Sequence, residues 1–336
     1  MAYRRLGNSG VMVSTLCLGT MMFGDRTDAR EAGEIVAACR DRGVNFIDTA
    51  DVYSLGESER ITGRLIAPQR AHWVLATKVA NPMSDDTNAR GLSRRWLVQA
   101  IDGSLTRLGT DHVDVYYLHR EDPRTPIGET VAALGDLIRA GKIRYFGVSN
   151  FRAWRIAEVV RHCDELGVPR PVVCQPYYNA LNRMPEVEVL PACGHFGIGV
   201  APYSPIARGV LSGKYQPGQK PPEDTRAGRN DKRIMQTEWR EESLRIAQRI
   251  REHAERRGVT AAQFAVGWVL NNRLVTSAIV GPRTLGQMQE YLDGIDLVFG
   301  ADDEALIDSL VPAGHPSTPG YSDPAYPIEG RQPFSA

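Results

Sequence analysis

The sequence has no excess of charge of one sign. Forty Lys and Arg balance forty Asp and Glu, so the formal net charge is zero. Nucleic-acid and anionic-membrane binding rely on a basic surplus, and neither partner is expected. No run of about 18 apolar residues occurs, so no membrane-spanning helix is expected. The first eight residues turn polar where a secretory signal needs its apolar stretch, and no signal peptide is read there. Cysteine is scarce. Cys17, Cys39, Cys163, Cys174 and Cys193 are odd in number, scattered and free of C-x-x-C pairs, which reads as reduced core thiols in the cytoplasm. His72, His112, His162, His195, His253 and His315 lack metal-ligand spacing, and Cys193-Gly194-His195 is too short for zinc, so no metal is expected. No G-x-G-x-x-G follows an early strand, and the stretch from Gly209 to Lys214 has the wrong spacing for Walker A. Ser149 lacks the second glycine of a nucleophile elbow.

What is present is alternation. Short β-rich apolar runs trade places with amphipathic helical stretches, the mark of βαβ units around a parallel sheet. A hairpin is predicted from residues 3–5 and 11–13 around Gly7-Asn8-Ser9-Gly10. Eight strands follow at 16–18, 45–48, 73–78, 113–119, 143–149, 172–175, 199–203 and 277–280, with an extra helix near 241–257. The fold class is therefore α/β, a (β/α)8 barrel with an N-terminal hairpin and added loops. Its 336 residues form one domain without a linker. Such barrels take about 250 residues and grow past roughly 400 with insertions. One helix shows the local logic. Ser93 caps it, Trp96, Leu97, Ala100, Ile101, Leu105 and Leu108 recur at helical spacing, and Gly109 ends it. Two stretches rich in Pro and Gly, 216–233 and 312–333, read as a mobile loop and an irregular tail.

In parallel barrels the reactive groups gather where strands end. The second predicted strand ends in Asp48, the third in Lys78 and the fourth in His119, and Tyr53 lies five positions after Asp48. Together they suit proton donation. A phenol titrates near pH 10, too high for efficient acid–base work at neutrality. A close ammonium is expected to lower that value, a carboxylate keeps the ammonium charged, and an imidazole can orient a carbonyl. Glu121 and Asp122, after His119, read as surface charges.

At these residues the chain resembles the aldo-keto reductases over essentially its whole length. Gly43-Val44-Asn45-Phe46-Ile47-Asp48-Thr49-Ala50-Asp51-Val52-Tyr53 matches that family's G-x-N-x-x-D-T-A-x-x-Y. Ala76-Thr77-Lys78, Asp114-Val115-Tyr116-Tyr117-Leu118-His119 and Gly141-Lys142-Ile143-Arg144-Tyr145-Phe146-Gly147-Val148-Ser149-Asn150-Phe151 match its lysine, histidine and G-K-I-R strands. The resemblance implies NADPH-dependent reduction of an aldehyde or ketone. Tyr53 would be the general acid, Asp48 and Lys78 would tune it, and His119 would place the carbonyl. It also implies an extended NADP(H) at the barrel mouth. Gly19, Thr20, Met21 and Asp48 would be among the cofactor-binding residues, Ser149, Asn150 and Gln175 would bond the nicotinamide carboxamide, and Tyr203 would stack on the nicotinamide ring. Ser204, Pro205, Ile206, Arg208, Gly209, Leu211, Gly213 and Lys214 resemble the pyrophosphate loop. Gly281, Arg283, Thr284, Gln287 and Glu290 resemble the adenosine-phosphate segment, although Tyr291 stands where the family often has Asn, which leaves the preference for NADP over NAD open. By position, Met21, Met22, Phe23, residues 81–90, Tyr321 and Tyr326 line the substrate pocket. The same resemblance extends to potassium-channel β subunits, so a cofactor-sensing regulatory protein with weak reductase activity is the alternative. A barrel hydrolase or isomerase that uses no nicotinamide is a second rival, since fold alone does not decide function. The resemblance leaves room for a homo-oligomer.

Overall fold

The computed structural model of the chain describes residues 1–328. The hairpin forms from β1 (Tyr3–Arg5) and β2 (Met12–Ser14), paired antiparallel. Gly7 turns it at a φ of 56°, and a Cβ there would lie 2.3 Å from the Val172 carbonyl oxygen, so only glycine lets the hairpin sit this close to the barrel. Leu6 and Val13 from the hairpin join the apolar interior with Phe46, Val115 and Val173. The hairpin therefore closes the end of the barrel opposite the strand C-termini.

Eight parallel strands follow: β3 (Leu16–Gly19), β4 (Phe46–Asp48), β5 (Val74–Val79), β6 (Val113–Leu118), β7 (Ile143–Ser149), β8 (Val173–Gln175), β9 (Gly199–Val200) and β10 (Ala278–Val280). They lie side by side in chain order, with β10 next to β3. Between β9 and β10 the ring is completed by a bridge from Tyr203 to Ile279, and the Ile279 amide donates to the Pro202 carbonyl at 3.0 Å. The predicted strand 199–203 shortens to two residues because Pro202 has no N–H for a ladder.

Helices α1 (Ala29–Asp41), α2 (Glu57–Ile66), α3 (Arg94–Leu108), α4 (Ile127–Arg139), α5 (Ala153–Leu166) and α6 (Val189–Phe196) connect consecutive strands. Helices α7 (Lys232–Thr237), α8 (Glu241–Arg256) and α9 (Ala261–Asn271) fill the long connection before β10, and α10 (Leu285–Asp293) and α11 (Ala301–Leu310) follow it. In α3 the Ser93 side chain accepts from the Trp96 amide at 3.3 Å, and Gly109 ends the helix at a φ of 63°. Its buried face holds Trp96, Leu97, Ala100, Ile101, Ser104 and Leu108, while Leu105 is only partly covered. Burying a side chain such as Leu97 contributes roughly 1.5–3 kcal/mol. The region read as a mobile loop runs as turns until α7 begins. Residues 312–328 run irregularly as predicted, and the part of that reading beyond residue 328 lies outside the described residues. All five cysteines are buried and unpaired. Among the described residues no helix is long and apolar enough to cross a membrane.

Candidate active site

Strands β4 and β5 end at the mouth in register, and His119 follows β6 directly. That register delivers Asp48, Lys78 and His119 to one side of the opening. Tyr53 returns toward them because the chain turns sharply after it. Ser54 and Leu55 hold left-handed φ values of 46° and 50°, Gly56 follows at 91°, and α2 then begins. Three other non-glycine residues with positive φ, Ala80, Asn150 and Ser204, also follow strand ends here. Such conformations cost about 1–3 kcal/mol each and gather at functional sites.

Lys78 is fully buried. Its ammonium donates to Asp48 Oδ1, to the Thr49 carbonyl at 2.7 Å and to the Tyr53 hydroxyl at 3.2 Å. Asp48 Oδ2 accepts from Gln175 Nε2 at 2.9 Å. The carboxylate thus has a donor on each oxygen, the condition for keeping a buried charge. Burial opposes the ammonium, yet Asp48 and Tyr53 outweigh it and raise the Lys78 pKa. Burial also pushes the Asp48 carboxyl up, with Lys78 pulling it back.

The expected lowering of Tyr53 is reversed. Burial raises its pKa above 10, and the Lys78 ammonium opposes that rise without cancelling it. The reason is that an enclosed phenolate loses its water, and Asp48 adds a like charge nearby. Tyr53 is therefore held as the neutral phenol, a proton donor at every pH near neutrality. Burial, then Lys78 and Arg120, drop the His119 pKa well below 6.5, so the imidazole is neutral too. Its Nδ1 lies 3.1 Å from Asn81 Nδ2. With the amide as donor, Nδ1 accepts and the ring proton sits on Nε2. The Tyr53 and His119 rings meet edge to face, centroids 6.0 Å apart.

Both rings line a cavity of about 900 Å³. Next to them Asn150 Nδ2 donates to the His119 carbonyl at 2.9 Å and to Ser149 Oγ at 3.0 Å, and Asn150 Oδ1 accepts from the Tyr203 hydroxyl at 2.8 Å. One hydrogen-bonded polar wall results, running from the His119 main chain through Asn150 to the Tyr203 hydroxyl. Farther along, Lys214, Arg226, Arg229 and Arg283 line the same cavity. Burial, and then Arg283 with Arg226 and Arg229, lower the Lys214 pKa. Arg226 forms no ion pair among the described residues, and its Nη2 rests 3.3 Å from Met22 Sδ. Arg283 and Arg229 both donate to the Asp224 carbonyl, at 3.2 and 2.5 Å, which ties the segment before α7 across the cavity. The lining carries more cations than carboxylates, even with Asp224 lying 3.9 Å from Arg283, an excess that suits a polyanion.

A sequence model described as the Aldo/keto reductase family matches residues 15–312. The chain belongs to that family. This aldo-keto reductase is 39% identical over 305 residues to a protein of Arabidopsis thaliana named as a probable voltage-gated potassium channel subunit beta, covering 89% of this chain and 92% of that one. It is 34% identical over 330 residues to an uncharacterised oxidoreductase of Bacillus subtilis, covering 95% and 98%. It is 33% identical over 329 residues to an L-glyceraldehyde 3-phosphate reductase of Escherichia coli O157:H7, covering 94% and 93%.

Most residues the sequence singled out face the reductase's cavity: Gly19, Met21, Asp48, Ser149, Asn150, Gln175, Tyr203, Ser204, Pro205, Ile206, Arg208, Gly209, Lys214, Gly281, Arg283 and Gln287. Others support it from behind. Thr20 donates to the Asp48 carbonyl at 3.2 Å, Leu211 is fully buried in the core, and Thr284 caps α10. Gly213 ends a turn at a φ of 73°, and the Glu290 carbonyl accepts from Gln263. Of the expected substrate wall, Met21, Met22 and Tyr326 face the cavity, Phe23 is fully buried, and Asn81 acts through His119. Asp122 corrects the surface reading: it is buried and accepts from the Leu92 amide at 2.9 Å and Thr125 Oγ1 at 2.8 Å, shaping the loop before α3. Glu121 accepts from the Arg152 amide at 2.6 Å. Arg226 and Arg229 were missed, and Asn81, expected on the pocket wall, instead bonds the His119 ring. Only the local density of arginine in 226–233 hinted at the two arginines.

Proposed function

We propose that this reductase is NADP(H)-dependent and reduces a small aldehyde or ketone in the cytoplasm, with Tyr53 as the general acid. The observation that carries the reading is one neutral phenol and one neutral imidazole facing a common cavity, with a buried ammonium–carboxylate pair behind the phenol. The cavity suits a dinucleotide: a flat Tyr203 ring at one end and Lys214, Arg226, Arg229 and Arg283 at the other. When bound, NADPH supplies the hydride. His119 Nε2 donates to the carbonyl oxygen and sets its direction. Tyr53 hands its proton to that oxygen as negative charge grows on it, and Lys78 stabilises the phenolate left behind. Asp48 keeps Lys78 charged and fixed. Arg283, a planar fork near the start of α10, is suited to a 2′-phosphate.

The test is NADPH consumption with nitrobenzaldehyde, with NADH in parallel. Tyr53→Phe is expected to cut kcat by about 10²–10⁴ while NADPH binding survives. Near-normal turnover by that variant would refute Tyr53 as the acid. A cofactor-sensing regulatory subunit is the second reading, prompted by the channel-subunit name of the Arabidopsis relative. Wild-type protein that binds NADPH but turns over no aldehyde would favour it.

A further inference from the structure

Glu238, just after α7, is fully buried although it carries a carboxylate. Its Oε1 accepts from the Tyr177 hydroxyl at 2.5 Å and from Arg208 Nη1 at 2.6 Å, and its Oε2 accepts from Thr237 Oγ1. The Arg208 guanidinium carbon lies 5.4 Å from the centre of the Tyr177 ring. That ring is stacked on Tyr203, centroids 5.6 Å apart and planes 29° from parallel. Tyr203 and Arg208 line the cavity, whereas Tyr177 and Glu238 stand behind them. Arg208 itself holds a φ of 49°, beside Ala207 at 49°, so this guanidinium is kept in place against backbone strain.

We infer that Glu238 is a positioning residue for hydride transfer: through Tyr177 and Arg208 it fixes the tilt of the Tyr203 ring. The inference rests on the reading above, in which Tyr203 backs the nicotinamide. The Tyr203 hydroxyl is tied to Asn150, and its amide donates to the Pro176 carbonyl at 3.0 Å. Those two ties leave the ring able to rock about the line between them. A partner against its face opposes that motion, and among the described residues Tyr177 is stacked there. Tyr177 is held in turn by a carboxylate that also binds the guanidinium over its ring. Stability alone does not call for such a network, because well-packed apolar side chains serve as well as a buried ion pair. What a charged network adds is a single allowed geometry, and reaction rates are sensitive to small misplacements.

Tyr177→Phe keeps the stack and removes the link to Glu238. Glu238→Gln removes the charge, and Tyr177→Phe stands in for it if that variant does not fold. Two readouts are used with NADPH as the probe: the single-turnover rate with its deuterium isotope effect, and the fluorescence lifetime of bound NADPH. In Tyr177→Phe the hydride step is expected to slow about tenfold with a larger isotope effect on kcat, while the NADPH dissociation constant changes by less than about twofold. The bound-cofactor lifetime shortens as the nicotinamide gains freedom. Glu186→Gln is the control, a partner of Arg183 in another ion pair, and it leaves both readouts at the wild-type value. Unchanged rate, isotope effect and lifetime in Tyr177→Phe would overturn the inference alone. Wild-type protein that fails to bind NADPH would overturn the cofactor reading and this one with it. Wild-type binding without turnover removes only the chemistry, and the lifetime still decides the positioning role.

Discussion

Replacing Lys78 by Met keeps a long buried side chain and deletes its charge. Three donations vanish: to Asp48, to the Thr49 carbonyl and to the Tyr53 hydroxyl. Asp48 is left buried with Gln175 as its remaining side-chain donor. An uncompensated buried charge costs about 3–5 kcal/mol and an orphaned carbonyl about 1 kcal/mol more, so the expected loss is about 4–6 kcal/mol near pH 8. The loss depends on pH. Burial already raises the Asp48 pKa, and without the ammonium nothing charged opposes it. A carboxyl whose folded pKa lies above its unfolded value stabilises fully below about pH 4, and that stability disappears as pH rises through the folded pKa. The deficit against wild type should therefore shrink between about pH 8 and pH 5. Asp48→Asn/Lys78→Met removes both charges and should be more stable than Lys78→Met by about 2 kcal/mol at pH 8. Urea denaturation at the two pH values measures all of this. A deficit equal at both, together with a double variant equal to the sum of its singles, would refute the view that the pair is coupled by burial.

The cation cluster gives a second prediction: Arg283→Gln should raise the KM for NADPH about tenfold and leave that for NADH nearly unchanged, in steady-state kinetics with both cofactors. Arg226→Gln, which touches no carboxylate, should weaken both cofactors alike, with equal loss for each read by fluorescence quenching. The pH profile of kcat should show no inflection near 6.5, because burial keeps His119 neutral, and should fall only as pH rises through the raised Tyr53 pKa. A limb near pH 6.5 that disappears in His119→Gln would show that the imidazole titrates and is not held neutral.

The barrel was legible from its alternation of strands and helices, and Asp48, Lys78 and His119, at successive strand ends, with Tyr53 five positions after Asp48, could be singled out from their spacing. Element ends were less so: Pro202 truncates β9, a local rule outweighed in the reading by the apolar run around it. The direction of the Tyr53 shift was misjudged because sequence shows which charge is adjacent and says nothing of how much water is excluded. Glu238 and Tyr177 were invisible for another reason. They lie 61 positions apart, and neither carries a motif that marks it before the barrel closes. Asp122 looked solvated because its acceptors' partners, Leu92 and Thr125, come from two different loops.

The left-handed turn after Tyr53 bears on how this protein could be made hardier. Leu55 is 71% exposed and holds its φ of 50° without packing to reward it. Asn150 shares the same class of backbone conformation, but its amide ties the His119 main-chain carbonyl to the Tyr203 hydroxyl. Glycine at Leu55 would relax the backbone and leave the chemistry alone. Glycine at Asn150 would relax it equally and dismantle the mouth. Heat tolerance and turnover are thus separable at one of these bends and inseparable at the other.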